Sequence, residues 1–154
     1  MKAYRERLAV PVTWWVALGG LAGSLWLVYQ HAYGPVVSVP VAAAVLLLGA
    51  AALIAYGRVR IAVDDTQLAV GKARLPLWAV GEAVAMTGEA ARIARGPELD
   101  PEAYVVLRGY VDAVVRVRVD DEADPVPYWL MSTRRPARLL TVLGAARDGA
   151  GSGR

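Results

Sequence analysis

The 154-residue chain contains no cysteine and one histidine. The first absence excludes disulfides, a thiolate nucleophile and any cysteine-based zinc site. The second excludes a multi-histidine metal centre, so neither a metal nor a cofactor is expected. The larger absence is of charge. From Leu8 to Gly57 there is no Lys, Arg, Asp or Glu, and all 17 cationic and 14 acidic residues lie outside that window. A soluble domain needs surface charge to stay solvated, whereas an ionised group in hydrocarbon costs several kcal/mol. The chain therefore reads as an integral membrane protein.

The uncharged window divides into two apolar spans, residues 12–29 and 36–56, each near the length that crosses a hydrocarbon core as a helix. Residues 30–35 (QHAYGP) form a polar, turn-prone link, and Gly34-Pro35 is a chain-reversal signal. A helical hairpin is expected. Lys2, Arg5 and Arg7 precede it, and Arg58, Arg60, Lys72 and Arg74 follow it, while the link carries no cation. This asymmetry predicts both termini in the cytoplasm, with residues 1–11 as a cytoplasmic lead and 30–35 outside the plasma (inner) membrane. Trp14, Trp15 and Tyr56 fall at the inner edge of the spans, and Trp26, Tyr29 and Tyr33 at the outer edge, as interfacial anchors would. The net charge of +3 is too modest for nucleic-acid binding and suggests weak attraction to the inner leaflet and its lipids.

Residues 58–147 are long enough for one small cytoplasmic domain. Strands are predicted over 58–63, 67–75, 82–86, 103–108, 114–119 and 128–133, the first two paired around Asp64-Asp65-Thr66. In VVRVRV the alternation turns Val115, Val117 and Val119 inward and Arg116 and Arg118 to water. Helices are predicted over 87–95, with Thr87 as N-cap, and over 135–147, with Leu139, Leu140, Val142, Leu143 and Ala146 on one face. Residues 148–154 read as a disordered tail. The expected fold is thus a membrane helical hairpin followed by a small β-rich α+β domain. The element order resembles a pleckstrin-homology-like (PH-like) barrel closed by its C-terminal helix; a small α+β sheet is the alternative.

Four motifs occur in order: Tyr4-Arg5-Glu6-Arg7-Leu8, Ala94-Arg95-Gly96-Pro97, Asp100-Pro101-Glu102-Ala103-Tyr104, and the run from Asp124 through Pro127-Tyr128-Trp129-Leu130 into Ser132-Thr133-Arg134-Arg135-Pro136. Together they resemble the actinobacterial membrane family catalogued as domain of unknown function 3093, over residues 4 to 146. The Ala-, Val- and Arg-rich, Lys-poor composition suits such a host. The resemblance implies a topology and a host group. It implies no activity and no functional residues.

One candidate ligand site stands out. Ser132, Thr133, Arg134 and Arg135 lie at a strand-to-helix junction, with Arg138 one turn on. Helix N–H groups and guanidiniums together suit a phosphate or a phospholipid headgroup. The competing reading has Ser132 or Thr133 capping the helix and the arginines solvated or paired with the acidic turn at 120–124. That turn lacks the glycine and distal glutamate of a calcium loop and reads as a solvated turn. Trp129 is expected to fill the core. The small-residue spacings Gly19/Gly23, Gly20/Ser24 and Ala51/Ala55 suit close helix packing, either within the hairpin, the favoured reading, or in a homodimer. No serine has a histidine in reach, and no glycine-rich loop matches a nucleotide fingerprint. The expectation is a non-enzymatic, membrane-anchored scaffold with a protein partner. Recognition of anionic headgroups at the inner leaflet is the alternative.

Overall fold

The computed structural model describes residues 4–151; expectations for Lys2 and for residues 152–154 lie outside the described residues. Ala9–Arg58 form one compact unit, and the chain before it and from Val59 onward forms the other.

The first unit is a helical hairpin, α1 (Val12–Tyr33) and α2 (Pro35–Tyr56). The expected six-residue link shrinks to Gly34 alone. Gly34 has φ +75, a left-handed conformation that glycine adopts without steric cost. Its N–H donates to the Gln30 carbonyl at 3.1 Å, closing α1, and Pro35 opens α2 with a preset φ. Gln30, His31, Ala32 and Tyr33 looked like a loop because they are less apolar, yet they continue α1 by a turn. The Ser38 hydroxyl donates to the Gln30 side chain at 2.6 Å, so part of that polarity is satisfied inside the hairpin. Ala22 and Ser38 are buried between the helices, while Val12, Val36 and Leu47 are more than two-thirds exposed. Both helices are long and apolar enough to cross a membrane.

The second unit begins with a strand absent from the sequence reading. β1 (Tyr4–Arg7) lies within the stretch read as a cytoplasmic lead, and it pairs antiparallel with β2 (Arg60–Val63) on the far side of the hairpin. The sheet continues through β3 (Gln67–Val70) and β4 (Ala73–Pro76) in the order β1-β2-β3-β4, all antiparallel. The single strand expected over 67–75 is therefore two, folded at Gly71-Lys72 with Val70 opposite Ala73. A 3-10 turn, Leu77–Ala79, leads to β5 (Val80–Met86), and α3 (Gly88–Arg95) follows. Thr87 stands at its N-cap position but makes no side-chain capping bond. β6 (Tyr104–Val106), β7 (Val114–Val119) and β8 (Tyr128–Ser132) complete a second sheet, ordered β5-β7-β8-β6, in which β6 runs parallel to β8.

The PH-like barrel does not form. Each sheet is open at its edges, and β4 and β5 are joined through the 3-10 turn without pairing to each other. The architecture is two four-stranded sheets sharing one apolar core. Ile61, Val63, Leu68 and Val70 enter it from the first sheet, and Val115, Val117, Trp129 and Met131 from the second. Helix α4 (Pro136–Gly151) adds Leu139 and Leu143. Val119 is only partly buried against this core. Trp129 is buried, with its ring centroid 4.8 Å from that of Tyr104. A smaller cluster explains a departure from simple alternation. Ala91 and Ala94 of α3 cover the other face of the second sheet, burying Val114 and Leu130 as well. α4 also runs into the stretch read as disordered, through Gly151, since backbone hydrogen bonding continues a turn beyond the last packed side chain.

Candidate functional site

The strand-to-helix junction is organised around a residue that sequence reasoning passed over. Alternation along β1 turns Tyr4 and Glu6 inward and Arg5 and Arg7 outward. Glu6 is 9 % exposed, and its carboxylate accepts three hydrogen bonds. The Tyr4 hydroxyl donates to Oε2 at 2.6 Å, the Thr133 hydroxyl to Oε2 at 2.6 Å, and the Arg134 backbone N–H to Oε1 at 2.8 Å. The Thr133 hydroxyl oxygen in turn accepts the Arg135 N–H at 3.1 Å. Ser132 faces another way and accepts the Arg108 N–H at 3.0 Å.

This network explains the junction sequence. A carboxylate taken out of water needs hydrogen-bond donors, and the chain supplies them from two hydroxyls and the peptide entering α4. The Tyr4 phenol is pushed up to about 12, first by burial and then by its hydrogen bond to the Glu6 carboxylate. An external phosphate at this spot would meet a site already holding an anion. Ser132 and Thr133 are fully buried and committed to these internal bonds. Arg134, Arg135 and Arg138 remain exposed, and the Arg134 guanidinium lies 5.8 Å from the Tyr110 ring centroid. The structure thus splits the five candidate ligand residues into two buried hydroxyls held by separate internal hydrogen bonds and three surface cations.

The other candidates fall out as follows. Asp120 pairs with Arg118, with an Nε to Oδ1 distance of 2.8 Å. Asp121 and Asp124 accept from Ala123 and Val126 N–H groups two residues on, which is the geometry of ordinary Asx turns. Among the described residues no group of three or more His, Asp or Glu side chains gathers as metal ligands would. A cleft of about 260 Å³ lies on the second sheet between Glu82, Arg116, Arg118 and Tyr128, with the Arg116 guanidinium 5.7 Å from the Tyr128 ring centroid. Trp78, in the 3-10 turn, is 59 % exposed although tryptophan normally buries its area; nothing local in the sequence marks it.

In the hairpin, Trp14, Trp15, Trp26 and Tyr56 are exposed and Tyr29 is half-buried. The Trp14 and Tyr56 rings stack across the two helices at 6.4 Å, and Tyr29 and Tyr33 meet at 5.8 Å along α1. The small residues behave differently from the favoured reading. A side chain at Gly19, Gly20 or Gly23 would meet nothing, so these glycines do not serve the contact between α1 and α2. Gly49 does, because a Cβ there would press on the Leu18 side chain, 3.1 Å from its Cδ2.

These elements define a class: a pair of long apolar helices inserted between two neighbouring strands of a β-rich unit that ends in a helix. A family profile described as "Protein of unknown function (DUF3093)" matches residues 3–143, and the chain belongs to that family. No curated protein and no solved structure matches the chain.

Proposed function

We propose that this protein is a non-enzymatic, membrane-anchored scaffold, with the α1–α2 hairpin in the plasma membrane and the β-rich unit in the cytoplasm as a module for a protein partner. The observation that carries the reading is the pairing of β1 with β2. Strands hydrogen-bonded to one another lie on one side of a membrane, so the pairing of Tyr4–Arg7 with Arg60–Val63 supports an even number of crossings between them. The cations flanking the hairpin favour the cytoplasmic side. The exposed Trp78 supports a protein partner, since large aromatics left at a surface are frequent anchors of interfaces. The Lys-poor composition supports an actinobacterial host. A second reading, recognition of anionic headgroups, is favoured by the exposure of Arg134, Arg135 and Arg138. Homodimerisation would use the outward-facing Gly19, Gly20 and Gly23.

Reporter fusions after Gly34 and after Arg154 test the topology. A reporter active only outside the cytoplasm is expected to work at Gly34 and to be silent at Arg154; the reverse pattern overturns the orientation. A pull-down of the tagged full chain from native membranes, with proteins and lipids identified together, separates the two classes of partner. Enrichment of anionic lipid with no protein partner would sink the scaffold reading.

A further inference from the structure

We infer that the outward face of the first sheet is a binding surface for the headgroups of anionic phospholipids. This rests on reading α1 and α2 as a membrane hairpin. It takes different residues from those at the start of α4, where Glu6 already holds the buried donors.

The alternation that turns Tyr4, Glu6, Ile61, Val63, Leu68 and Val70 inward sets the other face by exclusion. Register then aligns that face in rows. Arg5 stands opposite Ala62, Ala62 opposite Ala69, and Ala69 opposite Arg74. In the next row Arg7 stands directly opposite Arg60. The result is a floor of two alanines that belong to neither apolar core, with exposed arginines at its margins. None of the outward positions of β1 to β4 is an Asp or Glu; the acidic residues of this sheet are the inward Glu6 and the turn residues Asp64 and Asp65. Arg74 Nη1 reaches the Ala73 carbonyl at 3.1 Å. No ion pair involves Arg5, Arg7 or Arg60 among the described residues.

Like charges directly opposite in a sheet are destabilising. A local rule broken without a compensating contact within the protein points to a contact outside it. Lipid is the occupant for two reasons. The face is small-floored and cationic, with its arginines spread along two rows, which suits several phosphodiesters better than one deep-bound ligand. It is also tied to the hairpin by short connections at both ends. Arg7 lies five residues before the first residue of α1 and Arg60 four after the last of α2. Fully extended, those connections span only about 18 and 14 Å. Those maximum spans are about two Debye lengths at physiological salt, so the connections hold the arginines within the outer reach of the negative surface potential of the cytoplasmic leaflet.

The test uses the full chain in lipid nanodiscs. The protein has no cysteine, so Ala69→Cys gives a single labelling site in the middle of the face. A fluorophore there is read by collisional quenching from a headgroup-spin-labelled lipid, in discs of phosphatidylcholine alone or with a third phosphatidylglycerol. Quenching is expected to be about threefold or more stronger in the anionic discs and to fall steeply as salt rises past physiological strength. Replacing Arg5, Arg7, Arg60 and Arg74 together by Gln should abolish the difference. Arg7→Glu is the companion variant. It converts the like-charged cross-strand pair into an opposite-charged one, so thermal stability should hold or rise while the lipid dependence weakens. Equal quenching in both kinds of disc, or a lipid dependence that survives the four-Gln variant, overturns the surface and leaves the hairpin standing. A chain that does not co-purify with discs at all overturns the hairpin reading and the surface with it.

Discussion

Glu6 is a residue on which two distant parts of the chain depend, and its removal has a calculable cost. Its carboxylate links β1 to the start of α4, 127 positions away at Thr133. Glu6→Ala would take the carboxylate away from the Tyr4 hydroxyl, the Thr133 hydroxyl and the Arg134 N–H, and because the two hydroxyls lie 3.4 Å apart only one of them can donate to the other instead. Hydrogen bonds to a charged group contribute about 1.5–3 kcal/mol each, and an orphaned buried donor costs about 1–3 kcal/mol. Two of the three donors are buried outright, and some relaxation toward water is available to the third. A loss on the order of 3–4 kcal/mol follows. For a unit of this size each kcal/mol moves the midpoint by about 4–8 °C, so a fall of roughly 12 °C or more is expected. Glu6→Gln should cost less, about 1–2 kcal/mol, because the amide retains one acceptor and both hydroxyls can reorient to accept from its NH₂. The assay is thermal unfolding of the full chain in detergent micelles, followed by tryptophan fluorescence, with amide hydrogen exchange across residues 4–8 alongside. β1 is the segment expected to lose protection first. If Glu6→Ala unfolds at the wild-type temperature with β1 still protected, the lock does not exist and β1 is held by its backbone ladder alone.

Two further outcomes follow from the same core. The Tyr4 phenol is held neutral by burial and by the adjacent carboxylate, at about 12 against an ordinary value of 10.0. Its stabilisation is therefore present below pH 10 and lost as pH climbs from 10 through 12, the range in which the unfolded chain has released a proton that the folded chain retains. The stability gap between wild type and Tyr4→Phe should shrink over that range, and unfolding profiles that stay parallel from pH 9 to 12 would refute the assignment. Val117 is fully buried between the sheets, so Val117→Asp places a carboxylate without a partner in the core at a cost of several kcal/mol. Loss of protease resistance and of the native circular-dichroism spectrum is expected, and retention of both would contradict the core described.

What the sequence disclosed and what it withheld divide along a physical line. Properties that depend on the solvent a segment meets were legible. The charge-free window gave two apolar helices, and the alternation VVRVRV gave an inward Val115 and Val117 facing Leu139 and Leu143. Properties that depend on a partner far along the chain were not. β1 is four residues long, too short for alternation to signal a strand, and its evidence lies in β2, beyond the entire hairpin. The barrel failed for a related reason. Element order is local information, whereas closure is a statement about which edges pair, and here β1, β4, β5 and β6 all end their sheets.

The candidate site shows the same division at the scale of single residues. Ser132-Thr133-Arg134-Arg135 does have donors of the kind an anion site uses, and two of them, the Thr133 hydroxyl and the Arg134 N–H, bond to the Glu6 side chain. The buried donors are met from inside the chain, and the exposed guanidiniums of Arg134 and Arg135 are left at the surface. A helix start with donors converging on one point attracts the nearest carboxylate, and β1 delivers Glu6 once its own alternation is recognised. That placement has a consequence for the surface. With Glu6 turned inward, Arg5 and Arg7 have no acidic neighbour on their own strand, and β2 adds Arg60 opposite Arg7. The buried lock and the basic outer face are thus two sides of one four-residue strand. A chain that dissolves the first by Glu6→Ala should also misplace the second, and the lipid dependence of a label at residue 69 is expected to fall in that variant although every arginine is retained.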